Sequence, residues 1–515
     1  MALLLCNLFN SRHFFHDDAF IELRYARNLI DAGQPVWNLG EKVEGFTSIL
    51  HLLLVSFLGS LGLALPSAAQ VVNFVALGIL LGSVAIAGKL ATPREERSSA
   101  IGLLFIAGSA PLAIWTWGGL EAVLVAAWVG TALIFVRQGF DNIASNCCFQ
   151  KMLIAGGFYS LAVLTRPDSI LLAVGCALGI LLGTAELSLH RRFQLILGVL
   201  LPVLLTQCVI LGFRWVLYDE LVPNTYYAKV AGIPILFRLK HGARYLLKST
   251  IEMPVIPVLL ICSLYLRREL RSPWHLALLM QLALFLGYVV WVGGDHMTAA
   301  RFLVPLLPIM GAFLISLLDF QSHAPRLRLQ GVLYAGVVLT VALGLARPSL
   351  AMDPAAWVGR IVGEYMEHEW PKGSLIALNT AGAPPYYARS MRFIDMLGLN
   401  DAHIAHRKLE RVEGGFQELP GHAKGDGTYV IARQPDFIVA GTAEGQLIDK
   451  SEFMGDREIA SLENFRTCYR EEDATIPYSE SIAHTGPERP NPLRFVYYRR
   501  TCPVTVADYR STRPK

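Results

Sequence analysis

HFFHDDAFIELRYAR, residues 13–27, places two adjacent carboxylates, Asp17 and Asp18, shortly after the apolar opening run MALLLCNLF. Ionisable side chains at a membrane boundary are costly to hold, so they are functional candidates by default. Aspartate is also a favoured helix N-cap, because it accepts hydrogen bonds from free backbone N–H groups and complements the helix dipole. A cap explains one of the two carboxylates and leaves the second without a role.

The residues after this pair have helical spacing and end at Gly33. Phe20 and Ile21 fall roughly on one apolar face, and Arg24 and Arg27 fall on another. Aspartates in the first turn and a glycine after the last turn are typical helix boundaries. The stretch therefore predicts a helix that begins at the acidic pair.

The composition predicts a membrane protein with a soluble tail. The chain is 53% hydrophobic and 17% charged, and its mean hydropathy is +0.43. Soluble domains carry about 25% charged residues. Residues 1–346 hold 42 of the 86 Asp, Glu, Lys and Arg residues, and residues 347–515 hold 44, so the tail alone has a soluble composition. The net charge of +4 is too small and too dispersed to indicate nucleic-acid binding.

Apolar runs of about 20 residues, the length that crosses a bilayer, recur along the first region. We predict about 10–11 spans. The run 46–64 contains His51 and ends near Pro66, so it either spans or lies along the interface. The other predicted spans are 68–88, 98–115, 121–137, a shorter one at 152–164, 169–186, 194–217, 250–266, 274–293, 303–319 and 329–346.

Positive charge predicts the orientation. If 46–64 does not span, one set of alternate loops carries 12 Lys and Arg residues, whereas the short loops opposite carry almost none apart from Arg166 and Arg301. By the positive-inside rule the first set is cytoplasmic, which places the acidic pair and the tail outside. The loop cations are Lys89, Arg94, Arg97, Arg137, Lys151, Arg191, Arg192, Arg267, Arg268, Arg271, Arg326 and Arg328.

These patterns divide the chain into a membrane body, 1–350, whose first outer loop is 11–45, and an extracytoplasmic domain, 351–515. The opening run is about half a span, so either the sequence starts downstream of the natural start or the first helix is truncated, and we expect a full first helix in the natural protein. The run does not resemble a cleavable signal peptide. Cys468 and Cys502 are the two cysteines of the tail. In an extracytoplasmic domain they are expected to form a disulfide, with two buried thiols as the alternative.

Two glutamates belong to polar turns on the predicted outer face. Glu44, in NLGEKVEGFTS (38–48), is a candidate for hydrogen bonding to a sugar hydroxyl, and a solvated turn is the alternative. Glu121 ends WTWGGLE (115–121), in which Trp115 and Trp117 fit an aromatic belt at the interface but leave the carboxylate unexplained.

Cations and a histidine accompany these acids. The loop 218–249 carries Tyr226, Lys229 and four further cations, which either attract an anionic headgroup or snorkel beside an amphipathic segment. The stretch VGGDHMTAAR (292–301) holds Asp295, His296 and Arg301. An arginine at the start of a span can pair with a phosphate in a bidentate manner.

The tail pattern predicts a small α/β domain. A helical stretch runs from about Asp353 to Trp370 and is followed by short apolar runs at 374–378, 393–397, 436–440 and 494–498, separated by Gly- and Pro-rich turns. Asp395, Asp401 and His422 are candidates for binding an acceptor glycan. The alternative is a structural lid in which Asp401 caps a helix.

Several classes of enzyme are disfavoured by motif. The sequence has no nucleotide-binding glycine loop with a Walker lysine, no HExxH pattern and no serine nucleophile elbow. A divalent cation between an aspartate and a phosphate is chemically possible, but no second set of ligands is visible, so we predict no metal site and no certain cofactor.

Several short motifs occur along the chain in an order that resembles a known family. They are DDAFIELRYARN (17–28), VEGFTS (43–48), GLE (119–121), RPD (166–168), VPNTYYAK (222–229), GGD (293–295), RFLVP (301–305), DMLGLND (395–401), GHAK (421–424) and RQPDF (433–437). Over nearly the whole chain this order resembles bacterial GT-C membrane glycosyltransferases, in particular the terminal β-arabinofuranosyltransferases of the cell wall. No single motif is specific, and the shortened first span departs from the family pattern.

The resemblance implies a mainly α, polytopic GT-C-type body with an extracytoplasmic α/β domain, in the bacterial inner membrane. It implies transfer of a sugar, arabinofuranose in this family, from a polyprenyl-phosphate donor to a cell-envelope glycan or lipid acceptor. On this prediction Asp17 or Asp18 is the general base. Lys229, Arg166, Arg301 and His296 bind the donor phosphate, and Glu44, Glu121, Asp295 and Tyr226 contact substrate.

Two other classes remain as alternatives. A transporter or flippase of a lipid-linked sugar would place ionisable residues near the middle of spans, often with an inverted repeat. Here the ionisable residues gather at one face. A non-enzymatic membrane scaffold whose tail binds cell-wall polymer is the third possibility, and loss of transfer on replacement of either aspartate separates it from an enzyme.

Overall fold

The computed structural model describes residues 2–90, 95–143, 145, 147–266, 270–318, 324–412 and 414–503. Three of the predicted loop cations, Arg94, Arg267 and Arg268, lie outside these ranges, as do residues 504–515 of the predicted second domain.

The first part of the chain is built from helices. They are α1 (Ala2–Asn10), α2 (Asp17–Ala32), α3 (Ile49–Ser60), α4 (Leu65–Leu90), α5 (Glu95–Gly108), α6 (Ala110–Trp117), α7 (Ala122–Asp141), α8 (Cys147–Thr165), α9 (Ile170–Gly183), α10 (Leu189–Tyr218), α11 (Asn224–Lys229), α12 (Ile235–Glu252), α13 (Val255–Tyr265), α14 (Pro273–Val292), α15 (Leu307–Leu318) and α16 (Ala324–Leu345). Short 3₁₀ turns at Pro167–Ser169 and Arg301–Leu306 lead into α9 and α15.

Six segments in the described part of the chain are long and apolar enough to cross a membrane, or up to eight if each of two bent helix pairs is one span. Three shorter apolar segments, Ile49–Ser60, Pro167–Gly183 and Leu329–Leu345, account for the difference from the predicted 10–11. The segment 46–64 forms α3, whose 12 residues rise about 18 Å, less than the hydrocarbon thickness of a bilayer.

The region 218–266 differs from the prediction. Instead of a loop followed by a span, it forms α11, the amphipathic helix α12 and the short helix α13. The chain bends by 101° between α12 and α13. Pro254 lies at this bend, where its ring prevents a helix from continuing unbroken.

The helix predicted to begin at the acidic pair is confirmed as α2, which starts at Asp17. His16 is the N-cap, and its side chain accepts a hydrogen bond from the Asp18 N–H, so neither aspartate caps the helix. Both carboxylates belong to the first turn, where they complement the helix dipole. Gly33 ends the helix with a φ of 67°, a conformation that glycine adopts without steric cost.

The tail contains a five-stranded mixed sheet. The strands are β1 (Leu375–Leu378), β2 (Arg392–Asp395), β3 (Phe437–Val439), β4 (Tyr469–Ile476) and β5 (Leu493–Arg500). Their order in the sheet is β2-β1-β3-β5-β4. The first three strands in this order pair in parallel, and β5 pairs antiparallel with β3 and β4. The tail helices are α17 (Pro354–Glu369), α18 (Ala383–Tyr387), α19 (Ala402–His406), α20 (Gly427–Ala432), α21 (Met454–Ser461), α22 (Glu463–Cys468) and α23 (Glu480–Ala483).

Two predictions about the tail can be compared directly with these elements. The helix predicted from Asp353 to Trp370 is α17, which Asp353 caps by accepting hydrogen bonds from the N–H groups of Ala355 and Ala356. Cys468 and Cys502 form a disulfide rather than two free thiols.

The tail packs against one face of α2. The Arg24 guanidinium donates to the carbonyl oxygens of Trp37, Pro385 and Met391, and the Phe20 ring lies 5.1 Å from that of Tyr386. The predicted division into an apolar and a basic face is therefore wrong. Phe20 and Arg24 share the face that contacts the tail, because four residues make about one helical turn.

We expect replacement of Gly382 by alanine to weaken this contact. A Cβ at this position would lie 2.2 Å from the Asp17 carbonyl oxygen, so either α2 or the tail must shift. Overpacking of this kind costs about 1–3 kcal/mol. The measurement is the thermal unfolding midpoint of the purified protein in detergent. Gly414→Ala is the matched control, because a Cβ there meets no atom within 4 Å, and equal midpoints for the two variants would contradict this packing.

Candidate active site

A cavity of about 500 Å³ lies between the helical body and the tail. Residues of α2, the 3₁₀ turn before α9, α10, α11 and the loop after α14 line it, together with Leu399 and Pro420 of the tail. Of the ten site residues predicted from the sequence, seven line this cavity: Asp18, Glu121, Arg166, Tyr226, Lys229, Asp295 and Arg301.

Asp18 is on the cavity face of α2. Ile21 and Glu22 lie beside it on the same wall, since residues three and four apart share a helix face. Burial raises the pKa of the Asp18 carboxyl, but the nearby charges of Lys229, His16, His296 and Arg301 outweigh burial and hold it below its usual value. Asp18 is thus a buried carboxylate kept ionised by cations, as a base that acts at neutral pH must be.

Asp17 points away from the cavity and toward the tail. Its Oδ1 accepts a hydrogen bond of 2.8 Å from the Ala383 N–H, and Gly382 packs directly against its carboxyl group. Burial raises its pKa well above the usual value, with smaller contributions in the same direction from Asp353 and Asp18. The two aspartates therefore occupy different environments, and Asp17 has the contacts of a residue that joins α2 to the tail.

Lys229 is the last residue of α11 and lies opposite the acidic wall. It forms no ion pair within 4.0 Å in the part of the chain that the structure describes, although it is the first of the charges that lower the pKa of Asp18. Its side chain packs against Gly421 of the tail. An unpaired cation beside a cavity is free to meet an anionic ligand.

The two arginines of the cavity are already paired. Arg301 Nε donates to Asp295 at 3.0 Å. Arg166 forms a two-pronged contact with Asp168, at 3.0 and 2.6 Å, and a further hydrogen bond of 3.1 Å with Glu121. Despite burial, the arginines hold the pKa values of Glu121 and Asp295 below normal. The two arginines and their carboxylate partners therefore form a cavity wall in which positive and negative groups alternate.

Three histidines lie next to Asp18. The ring centroids of His16 and His296 are 6.2 Å apart, and those of His296 and His422 are 4.7 Å apart. Burial lowers the pKa of His296 and of His422. His296 does not line the cavity itself, but it is placed behind Asp18 and Asp295, whose charges oppose the effect of burial.

Glu44 and Trp115 differ from their predicted roles. Glu44 is not part of the cavity lining. Its carboxylate pairs at 2.8 Å with Arg214, which does line the cavity, and both side chains are almost fully buried. Burial raises the pKa of Glu44 to about 7, which Arg214 only partly offsets. Trp115 is fully buried and donates to backbone carbonyls of Thr298 and Ala299, so it is not part of an interfacial belt.

The tail residues named as acceptor candidates separate into structural and cavity-side groups. Asp395 is fully buried and accepts hydrogen bonds from the N–H groups of Leu397 and Asn400. Asp401 caps α19 by accepting a hydrogen bond from the Ile404 N–H, which agrees with the predicted structural alternative. His422 lies against His296 and two residues after Pro420 of the cavity lining.

Lys424 was not among the predicted site residues. Its buried ammonium group donates to the carbonyl oxygens of Tyr227 and Ala231, each at 2.8 Å, and to that of Ala405. Lys424 therefore connects the tail to the last turn of α11, at Tyr227, and to the segment that follows it, at Ala231. Asn224 holds the other end of this helix by donating to the Gly398 and Leu399 carbonyls.

Sequence reasoning missed other cavity residues. Glu22 could have been found by its spacing of four from Asp18, and Asp168 by its position two residues after Arg166. Pro420 gives no local signal, because only the packing of the tail brings it to the cavity. Among the described residues, no group of three or more His, Cys, Asp and Glu side chains could hold a metal ion.

If the cavity is an active site, Lys424→Met should displace α11 and lower the turnover rate by at least about tenfold. Three carbonyls lose their donor, and each unsatisfied buried group costs about 1–3 kcal/mol. Lys229 would then shift away from Asp18. Because Lys229 lowers the pKa of Asp18, that pKa would rise and the acid limb of the pH–rate profile would move to higher pH. Lys408→Met, which removes an exposed lysine of the tail, is the control. A Lys424→Met variant with wild-type KM and pH profile would contradict a positioning role.

Comparison with solved structures defines the class of fold. ArnT from Cupriavidus metallidurans bound to undecaprenyl phosphate aligns with a TM-score of 0.52 and 14% identity over 76% of this chain and 84% of ArnT. The same protein in its apo state gives 0.51 and 14%, over 80% of this chain and 88% of ArnT. The chain has the fold of GT-C membrane glycosyltransferases, and its apolar helices make it a multi-pass membrane protein.

The sequence comparisons agree with this class. Terminal β-(1→2)-arabinofuranosyltransferase of Mycobacterium tuberculosis is 31% identical over 233 residues, which cover 43% of this chain and 35% of that protein. The enzyme of the same name from Corynebacterium glutamicum is 27% identical over 347 residues, 58% of this chain and 47% of the relative. The predicted resemblance is confirmed, although the matches span less than half the length of these relatives.

A model for a domain of unknown function (DUF8728) matches residues 353–485. This range begins at the N-cap of α17 and includes β1 to β4 of the sheet. The match therefore falls within the tail and assigns no activity to it.

Proposed function

We propose that this protein is a membrane glycosyltransferase that moves a sugar from a polyprenyl-phosphate donor to a cell-envelope acceptor, with Asp18 as the general base. One observation carries the proposal. In a GT-C fold, an ionised buried carboxylate and an unpaired lysine line the same cavity. The carboxylate can remove a proton from the acceptor, and the lysine can stabilise the phosphate as it departs.

The reaction assigns a role to each wall of the cavity. Asp18 accepts the proton of an acceptor hydroxyl while the oxygen of that hydroxyl forms a bond to the anomeric carbon of the donor. The bond from that carbon to the phosphate oxygen breaks, and the electron pair leaves with the prenyl phosphate. A single displacement of this kind inverts the anomeric configuration, as in inverting glycosidases.

Lys229 is the proposed partner of the departing phosphate, because negative charge builds there as the bond breaks. Arg301 and Arg166 are engaged with carboxylates, so they contribute positive potential from fixed positions. Tyr226, whose side chain is partly exposed at the cavity, and Glu121 and Asp295 are the proposed contacts for the sugar or acceptor.

The names of the similar proteins guide the choice of substrates. Relatives named for arabinofuranose transfer support a pentofuranosyl donor, and the ArnT structure with undecaprenyl phosphate supports a polyprenyl carrier. We further propose that residues 1–350 and 351–515 form two domains, and that the cavity and tail face outward from the bacterial inner membrane. The distribution of loop cations supports this orientation.

The test is reconstitution of the full chain in vesicles with polyprenyl-phosphate-linked arabinofuranose and an arabinan oligosaccharide acceptor. The proposal expects formation of an extended oligosaccharide and release of prenyl phosphate. A flippase would instead move the donor between leaflets without cleaving it, and a scaffold would do neither. Transfer by a matched Asp18→Asn sample at the wild-type rate would contradict the mechanism.

A further inference from the structure

Helix α12 lies across one end of the membrane helix α14. A Cβ on Gly242 would come within 2.4 Å of the Val290 carbonyl oxygen, so only glycine lets the two backbones approach this closely. Val290 is two residues from the end of α14, immediately before the loop that carries Asp295. Since a spanning helix ends near the membrane surface, α12 crosses at the level of that surface.

The direction of α12 agrees with this placement. It makes an angle of 101° with α13, the apolar helix that follows it. If α13 enters the membrane, α12 lies nearly parallel to the membrane plane. The first turn of α12 lies near the cavity, because Arg238 donates to the carbonyl oxygen of Trp291, a residue of the cavity lining.

The surface of α12 has three parallel stripes. One stripe, formed by Arg238, His241, Gly242, Tyr245 and Ser249, is buried against the body. A second is apolar and exposed. Its members are Ile235, Leu236, Leu239, Leu247 and Ile251, of which Leu236 is 78% exposed. An exposed apolar stripe of this size on a helix in the membrane plane is suited to the boundary between headgroups and acyl chains.

The third stripe is cationic. Lys240, Arg244 and Lys248 are exposed and follow one another at four-residue intervals, so they form a row beside the apolar stripe. Arg244 has a long contact of 3.8 Å with Glu418 of the tail, which also faces His241 at 3.7 Å. The acidic residue on α12 itself, Glu252, is in the last turn and pairs with Arg347 at 3.5 Å.

We propose that α12 is an interfacial helix that binds the headgroups of anionic glycerophospholipids through Lys240, Arg244 and Lys248. The apolar stripe inserts among the acyl chains, and the cationic row remains at headgroup level. Charge complementarity selects anionic over zwitterionic lipids. Each basic side chain near an anionic surface contributes about fivefold to binding, so three together give on the order of a hundredfold. The row would concentrate anionic lipids beside the cavity.

The test uses the full chain in nanodiscs of phosphatidylcholine with about 30% phosphatidylglycerol, a fraction that gives a clearly negative surface. The lipids retained after transfer to detergent are counted by native mass spectrometry. The wild-type chain should retain phosphatidylglycerol in excess of its bulk share. Lys240→Gln/Arg244→Gln/Lys248→Gln should lose that excess, whereas the control Lys450→Gln/Arg466→Gln/Arg470→Gln, with exposed tail cations, should keep it.

A second variant, Lys240→Gln/Lys248→Gln, leaves the contact between Arg244 and Glu418 intact and carries the test if the triple variant fails to fold. It should lose most of the excess. Equal retention of both lipids by the wild type, or an undiminished excess in both variants, would overturn the proposal. Sugar transfer is not measured in this experiment, so its outcome is independent of the proposed enzymatic function.

Discussion

Asp18→Asn should reduce the rate of sugar transfer by about 10²–10⁴-fold, the usual contribution of a positioned general base. Asparagine preserves the size of the side chain but cannot take the acceptor proton. The carboxylate lines the cavity beside Lys229, so its loss affects the reacting atoms directly. The measurement is single-turnover transfer from a saturating polyprenyl-phosphate donor.

Asp17→Asn is the matched control, one residue away on the same helix. The asparagine side-chain oxygen can still accept the Ala383 N–H hydrogen bond, so the contact with the tail should persist. We expect transfer within a few-fold of the wild-type rate. Loss of transfer in Asp17→Asn with retention in Asp18→Asn would reverse the assignment of the base.

Lys229→Met should be the next most damaging change, with a loss of roughly 10²–10³-fold, the range found when one donor to a developing oxyanion is removed. It should also shift the pH dependence. Lys229 lowers the pKa of Asp18, so its removal raises that pKa. Activity requires ionised Asp18 and is lost as pH falls through its pKa, so the acid limb should move to higher pH.

The pH–rate profile of kcat/KM, measured with Lys450→Met as the control for loss of an exposed lysine, tests this prediction. An acid limb unchanged in Lys229→Met would show that the lysine does not act on Asp18. A normal KM together with normal kcat would show that it does not contact the donor phosphate.

Much of the fold could be predicted because its signals are local. The boundaries of α2 and α17 follow from polar residues at one end and, for α2, Gly33 at the other. Four of the five strands were visible as short apolar runs. The strand β4 was missed because its sequence, YREEDATI, is largely polar and exposed at the edge of the sheet, where it is stabilised by pairing with β5.

The site was only partly predictable because its assembly depends on distant packing. The motifs identified most of the charged residues that line the cavity. They did not separate Asp17 from Asp18, since the difference arises from Ala383, 366 residues away along the chain. In the same way, Glu44 was assigned to substrate because nothing local indicates its partner Arg214.

The central claim is that the donor phosphate binds in the cavity next to Lys229, with the sugar turned toward Asp18. A cryo-electron microscopy map of the full chain with a non-hydrolysable polyprenyl-phosphonate sugar analogue tests it most directly. The account predicts phosphonate density within hydrogen-bond distance of the Lys229 Nζ atom and sugar density between it and the Asp18 carboxylate. Density for the headgroup outside this cavity, or against Asp17 instead of Asp18, would contradict it.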